Sequence, residues 1–225
     1  MKNTNKMLAL CGLIGAVLYA IADLFLYIGV DISSDDVLAM CRVSEWRVMV
    51  SMWIGLFGSL GLLLGFISLC RLVKVTFGEK LKFVMILPLL AVGGILYCHF
   101  TLGVYNPLTY QSALKAGVSE EQIVAFLENA ARFLNPLTMT TVICGYTAEI
   151  IVLVGVLSGK FRLKKRFLLF MYGLYAIVAA LVILLSKLLG EPGLTGGLES
   201  LFETTFFLPA FFAWENNFRN DPWRN

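Results

Sequence analysis

The chain has 225 residues, 59% of them hydrophobic and 15% charged, with a mean hydropathy of +0.82. Soluble domains are about half apolar and a quarter charged, so a water-soluble globule is excluded; disorder is excluded too, because burial of so much apolar surface outweighs the entropy lost on ordering. The 18 basic and 15 acidic residues are too evenly matched to indicate a nucleic-acid partner, which leaves an all-α, polytopic membrane protein.

A spanning helix needs about 20 mostly apolar residues. Six stretches qualify, at roughly 7–30, 47–70, 83–105, 137–159, 167–188 and 197–215, so residues 1–225 read as a single transmembrane domain with six helices in one bundle. In the first, Lys2, Lys6, an apolar run and Ala20-Ile21-Ala22 resemble a secretory signal with a cleavage site. The run continues to Ile28, a spanning length, so a retained helix is expected. In the second, Ser51, Gly58 and Gly65 recur every seven residues, as do Ile54, Gly61 and Ser68, with Gly55 beside them. Such a bare face lets helix backbones approach closely in lipid, which predicts a central helix.

The connection 106–136 opens with Asn106-Pro107-Leu108-Thr109 and closes with Asn135-Pro136-Leu137-Thr138. Proline lacks a donor and restricts the residue before it, so these tetrads are expected to stop the third helix and start the fourth. Between them Ser119-Glu120-Glu121-Gln122 is a capping-box pattern. It predicts an amphipathic helix over about 119–134, with Ile123, Phe126, Leu127, Ala130 and Leu134 on one face, lying on the membrane surface or over the bundle mouth. In the sixth stretch Pro209 predicts a kink. Trp46, Trp53, Tyr105, Tyr110 and Trp214 sit near the predicted interfaces, as belt anchors do.

Alternate connections differ in charge. Thirteen Lys and Arg fall at the termini and in the second and fourth connections, against five on the opposite side. By the positive-inside rule both termini are expected to be cytoplasmic, in a plasma-type membrane.

Ionisable groups inside a bilayer are costly and face the bundle interior or a water-filled cavity. Here they are Asp23, His99, Glu149, Glu199 and Glu203. Counted along the helices, nearly all fall in the outer half of the bilayer. Tyr19, Asp23 and Tyr27 share one helix face, and His99, Gly103 and Asn106 share another. Thr138, Thr141, Gly145 and Glu149 form a stripe that ends at Glu149. Glu199 and Glu203, like charges one turn apart, repel and call for a partner such as Lys187 or Arg47. Together these patterns predict an outward-facing polar pocket with Glu149 at its floor. The candidate ligand-binding or proton-linked residues are Asp23, Tyr27, His99, Asn106, Glu149, Glu199 and Glu203.

The chemistry of this set is narrow. A single His with carboxylates is a poor zinc set, and HExxH is absent from the sequence. Cys11, Cys41, Cys70, Cys98 and Cys144 contain no CxxC pair and read as small apolar residues rather than ligands or disulfides. No metal and no cofactor is therefore expected. GxSxG is also absent. Three readings stand: binding or movement of a small or lipid-like molecule, linked to protonation of Glu149; an intramembrane acid/base enzyme on a lipid-like substrate, using His99 with Asp23, Glu149 or Glu203; and an accessory subunit without a ligand. The expected partners are membrane lipid, the lipid-like ligand and, given the small size, a second copy in a homo-oligomer.

Overall fold

A computed structural model describes residues 2–30, 38 and 40–217, and no strand occurs among them. In chain order the helices are α1 (Lys2–Tyr27), α2 (Glu45–Phe77), α3 (Glu79–Lys82), α4 (Ile86–Cys98), α5 (Asn106–Lys115), α6 (Glu120–Leu157), α7 (Arg166–Leu189), α8 (Leu198–Phe202) and α9 (Thr204–Asn217). A seven-residue π turn, His99–Tyr105, joins α4 to α5, and a 3₁₀ turn, Pro192–Gly197, precedes α8. Four helical segments are long and apolar enough to cross a membrane: Asn3–Tyr27, Glu45–Phe77, Ile86–Lys115 and Arg166–Leu189. The exposed surface matches that environment. Leu169 is 78% exposed, with Ile143, Phe170, Ile177 and Leu188 also outward, while Ser51, Ser68, His99, Glu149 and Thr205 are buried. In water such a surface would aggregate; in lipid it is solvated.

The core is organised by the antiparallel α1–α2 pair, the most extensive helix contact. Gly12 and Gly15 of α1 meet Gly58, Gly61 and Gly65 of α2 backbone to backbone; a Cβ on Gly15 would lie 2.6 Å from the Leu62 nitrogen. The bare face of α2 is thus spent on close approach. α9 lies across this pair, with Phe207 against Gly12 and Gly65 and the Trp214 Nε1 donating to Ser68 Oγ at 2.9 Å. Ser68 Oγ in turn donates to the Asn5 carbonyl at 2.7 Å. α4 packs on α6, and α7 is peripheral, with most of its apolar side chains exposed.

The ends of the elements follow from local chemistry. Gly78, at φ 94°, terminates α2, its N–H donating to the Lys74 carbonyl. At the end of α1, Arg47 donates to the carbonyls of Phe25 and Ile28, a cation on a helix C-terminus. The Ser119–Gln122 capping box forms and starts α6.

Several sequence expectations are corrected here. The helix starting at Ser119 is not a separate surface segment; it runs on through Pro136 to Leu157 as one 38-residue helix. Proline removes one backbone bond but has a helix-compatible φ, and the Thr140 hydroxyl donates to the Pro136 carbonyl at 2.8 Å. On its predicted apolar face Ile123 and Leu127 are buried but Phe126 is exposed. Nor does Asn106-Pro107 stop the third helix. Pro107 lies in the first turn of α5, where no N–H is needed. The stretch 197–215 is interrupted at Glu203, six residues before Pro209. There Thr204 and Thr205 donate to the carbonyls of Leu201 and Phe202 at 2.7 and 2.6 Å, in competition with the helical ladder. Finally, Trp214 and Tyr110 are buried rather than in an interfacial belt, whereas Trp46, Trp53 and Tyr105 are exposed.

Candidate functional site

Four elements bring four polar side chains into one line. His99, the first residue of the π turn, places its Nδ1 at 3.1 Å from Asp23 Oδ1 of α1 and its Nε2 at 3.3 Å from Ser51 Oγ of α2. The other Asp23 oxygen accepts from Ser200 Oγ of α8 at 2.6 Å. The His99 and Asp23 side chains are only 3% and 13% exposed, so each polar atom depends on these partners.

Local sequence explains the fit. Gly55, one turn below Ser51, leaves room for the imidazole; a Cβ there would stand 2.5 Å from Nε2. The Tyr19 ring covers the imidazole with centroids 4.8 Å apart, and Phe100 meets its edge at 5.9 Å. The wider π turn breaks the register that would continue α4, a feature that recurs at functional sites.

The hydrogen bonds also order the protons. A carboxylate accepts and cannot donate, so His99 carries its hydrogen on Nδ1 and donates it to Asp23. In the neutral imidazole Nε2 is then a lone pair, to which the Ser51 hydroxyl donates. The arrangement is a base held by a carboxylate with a hydroxyl at its free nitrogen, which can move a proton between Ser51 and a molecule placed beside it.

The other predicted residues are dispersed. Glu149 of α6 is buried, at 7% exposure, and accepts from Thr205 Oγ1 at 3.1 Å through Oε2, while its Oε1 has no partner among the described residues. Thr205 also donates to the Phe202 carbonyl, so one hydroxyl proton is shared by two acceptors. Tyr27 is clamped under the 3₁₀ turn, where Gly193 and Gly196 leave no space for a side chain. Asn106 is half-buried at the start of α5 and makes no hydrogen bond to the Asp23–His99 pair. Glu203 caps α8 at the break before α9. The side chains of Glu199, Thr138 and Thr141 lie outside the described residues, as do Arg219 and Arg224. Arg47 serves the α1 carbonyls instead of a glutamate.

Ser51 and Ser200 are the members that sequence reading passed over. Counting depth for hydroxyls as well as for ionisable groups would have put Ser51 level with Asp23 and His99. A cleft of about 480 Å³ opens elsewhere, at the start of α6, lined by Leu38, Arg42, Glu120, Glu121, Val124, Ala125 and Glu128. Its walls are tied by Arg42 to Glu120 at 2.9 Å and by Tyr110 to Glu120 at 2.8 Å, and none of the predicted site residues lines it. Among the described residues no group of three or more His, Cys, Asp or Glu side chains forms a metal-sized cluster.

Neither a curated protein nor a solved structure matches the chain. Residues 1–217 match the model of a family of unknown function, DUF6796, and the chain belongs to that family.

Proposed function

We propose that the protein is an intramembrane acid/base enzyme in which the Asp23–His99 pair acts on a lipid-like molecule drawn from the bilayer. The observation that carries this reading is the buried imidazole, oriented by a carboxylate on Nδ1 and left with a basic Nε2. Its test is a lipid inventory by mass spectrometry. Purified wild type is incubated in vesicles of total lipid from the expressing cells and compared with His99→Gln. A lipid conversion made by the wild type and absent from the variant is expected. Identical inventories would end the proposal.

The membrane setting is part of the same proposal. α6 and the α8–α9 segment add two crossings to the four long apolar segments, making six. Lys6 pairs with Glu215 at 2.6 Å, Arg71 donates to Asn5 at 2.9 Å and Phe77 meets Phe161, which supports one basic end for both termini and the 160–166 loop. In this reading that end is cytoplasmic and the membrane is the plasma membrane.

A second reading, movement of a small or lipid-like molecule linked to protonation of Glu149, is favoured by the buried Glu149 oxygen that has no partner. It requires a wild-type ligand affinity that varies with pH and becomes constant in Glu149→Gln. A wild type indifferent to pH would remove it.

A further inference from the structure

We propose that Ser51 is a nucleophile and that Ser51, His99 and Asp23 form an acyl-transfer centre for a neutral acyl-ester lipid. The inference deepens the acid/base reading of His99 and rests on it. Three observations carry it. The first is the order of the hydrogen bonds, hydroxyl to Nε2 and Nδ1 to carboxylate, at 3.3 and 3.1 Å. This is the relation by which a nucleophile, its base and the orienting acid are recognised on unrelated folds.

The second observation is the direction of the Ser51 hydroxyl. Hydroxyls inside helices ordinarily donate to the carbonyl one turn back. In this protein Ser59 does so to Gly55, Thr76 to Leu72 and Thr140 to Pro136, at 2.7 to 2.8 Å, whereas Ser68 and Ser200 reach across to the Asn5 carbonyl and Asp23. Ser51 also turns across, and its partner is the His99 imidazole nitrogen, in the space that Gly55 leaves open.

The third observation selects the substrate. Among the described residues no Lys or Arg is bonded to any of the four side chains, whose partners are hydroxyl, imidazole and carboxylate. Arg47, on the same helix as Ser51, is engaged by the α1 carbonyls. A phosphoryl group calls for such a cation, whereas an ester carbonyl does not. Ser51 lies six residues into α2, about 9 Å along the axis from Glu45. That depth is close to the boundary of headgroups and acyl chains, where the ester bonds of glycerolipids lie. Ser51 is fully buried, so a lipid reaches it only when the packing around it opens.

The step is an acyl transfer. Ser51 Oγ attacks the ester carbonyl carbon as its proton passes to His99 Nε2. The bond from that carbon to the alcohol oxygen breaks, and the departing alcohol takes the proton from Nε2. An acceptor hydroxyl, from water or a lipid alcohol, then gives its proton to Nε2 and attacks the acyl-serine. Ser51 leaves with that proton restored. Asp23 remains ionised throughout and holds the imidazolium formed in each half.

The test uses the full chain in lipid nanodiscs with a long-chain alkyl fluorophosphonate, read by intact mass and peptide mapping. One adduct on Ser51 is expected. It should be absent in Ser51→Ala, formed at least about 100-fold more slowly in His99→Gln, and unchanged in Ser59→Ala. A wild type with no adduct on Ser51 overturns the proposal without depending on how any variant folds. A His99-dependent lipid conversion that persists in Ser51→Ala also overturns it, yet leaves the acid/base reading standing; absence of any conversion removes both.

Discussion

A buried histidine is defined by what holds each of its nitrogens. His99 has a carboxylate on one and a serine hydroxyl on the other, and its ring is seated on a position with no side chain. Gly55 is therefore a test of the site at the smallest scale. In Gly55→Ala the added methyl meets Nε2 at 2.5 Å and displaces the imidazole. A misplacement of about 1 Å costs on the order of 100-fold in rate, so lipid conversion and Ser51 labelling are expected to fall by about that factor. Gly145→Ala is the contrast, since its methyl would meet only Ala91 at 3.9 Å; conversion and thermal stability should match the wild type. Equal rates for the two variants would show that the ring is not held in a working position. Asp23 and His99 are legible in sequence because charge is conspicuous inside an apolar helix. Ser51 is not, because within a run of glycines and serines it is indistinguishable from a packing residue.

At the scale of elements, the α1–α2 contact determines where Asp23 and Ser51 stand. Gly15→Ala forces a methyl into the Leu62 nitrogen and the Gly58 carbonyl, both backbone atoms that have no rotamer with which to yield. Overpacking of this kind costs about 1–3 kcal/mol, and a lower Tm in detergent is the expected result; an unchanged Tm would mean the two helices are not in backbone contact. α6 offers the opposite case. Pro136 stands inside a continuous helix, and in Pro136→Ala a donor returns to the Arg132 carbonyl. A gain of about 1–3 kcal/mol is expected, measured as a raised Tm, whereas a loss would show that the helix depends on its proline. Helix existence was legible in the hydropathy. The fusion of the helix starting at Ser119 with the following span was not, because Asn-Pro signals a boundary locally and tertiary packing overrides that signal here.

The whole molecule is a bundle with polar groups inside and apolar groups outside, in which α7 contributes mainly exposed apolar surface. In the proposed topology its two ends differ in charge, and the proposed orientation rests on that difference. A membrane-impermeant maleimide applied to intact cells should label Lys115→Cys above the wild-type background. Lys164→Cys should react only after permeabilisation. The reverse pattern would invert the proposed topology. The fluorophosphonate and lipid-inventory experiments then address which molecule the interior serves.

Composition and hydropathy were enough for the class, an all-helical chain with segments long and apolar enough to cross a membrane, because apolarity is additive along the chain and helical hydrogen bonds close within four residues. They were also enough to single out Asp23, His99 and Glu149, since an ionisable group in lipid is costly wherever it lies. Which of those groups meet depended on the tertiary packing. Asp23 bonds to a histidine 76 positions away and to a serine 177 positions away. Those distances close only because Gly12, Gly15, Gly58, Gly61 and Gly65 let α1 and α2 touch and a π turn rotates His99 out of the α4 register. The same packing holds Glu149 against Thr205 on α9 instead. Among the described residues the sequence-predicted set thus yields a linked Asp23–His99 pair, to which structure adds Ser51 and Ser200, and the separate Glu149 carboxyl with one oxygen unpaired.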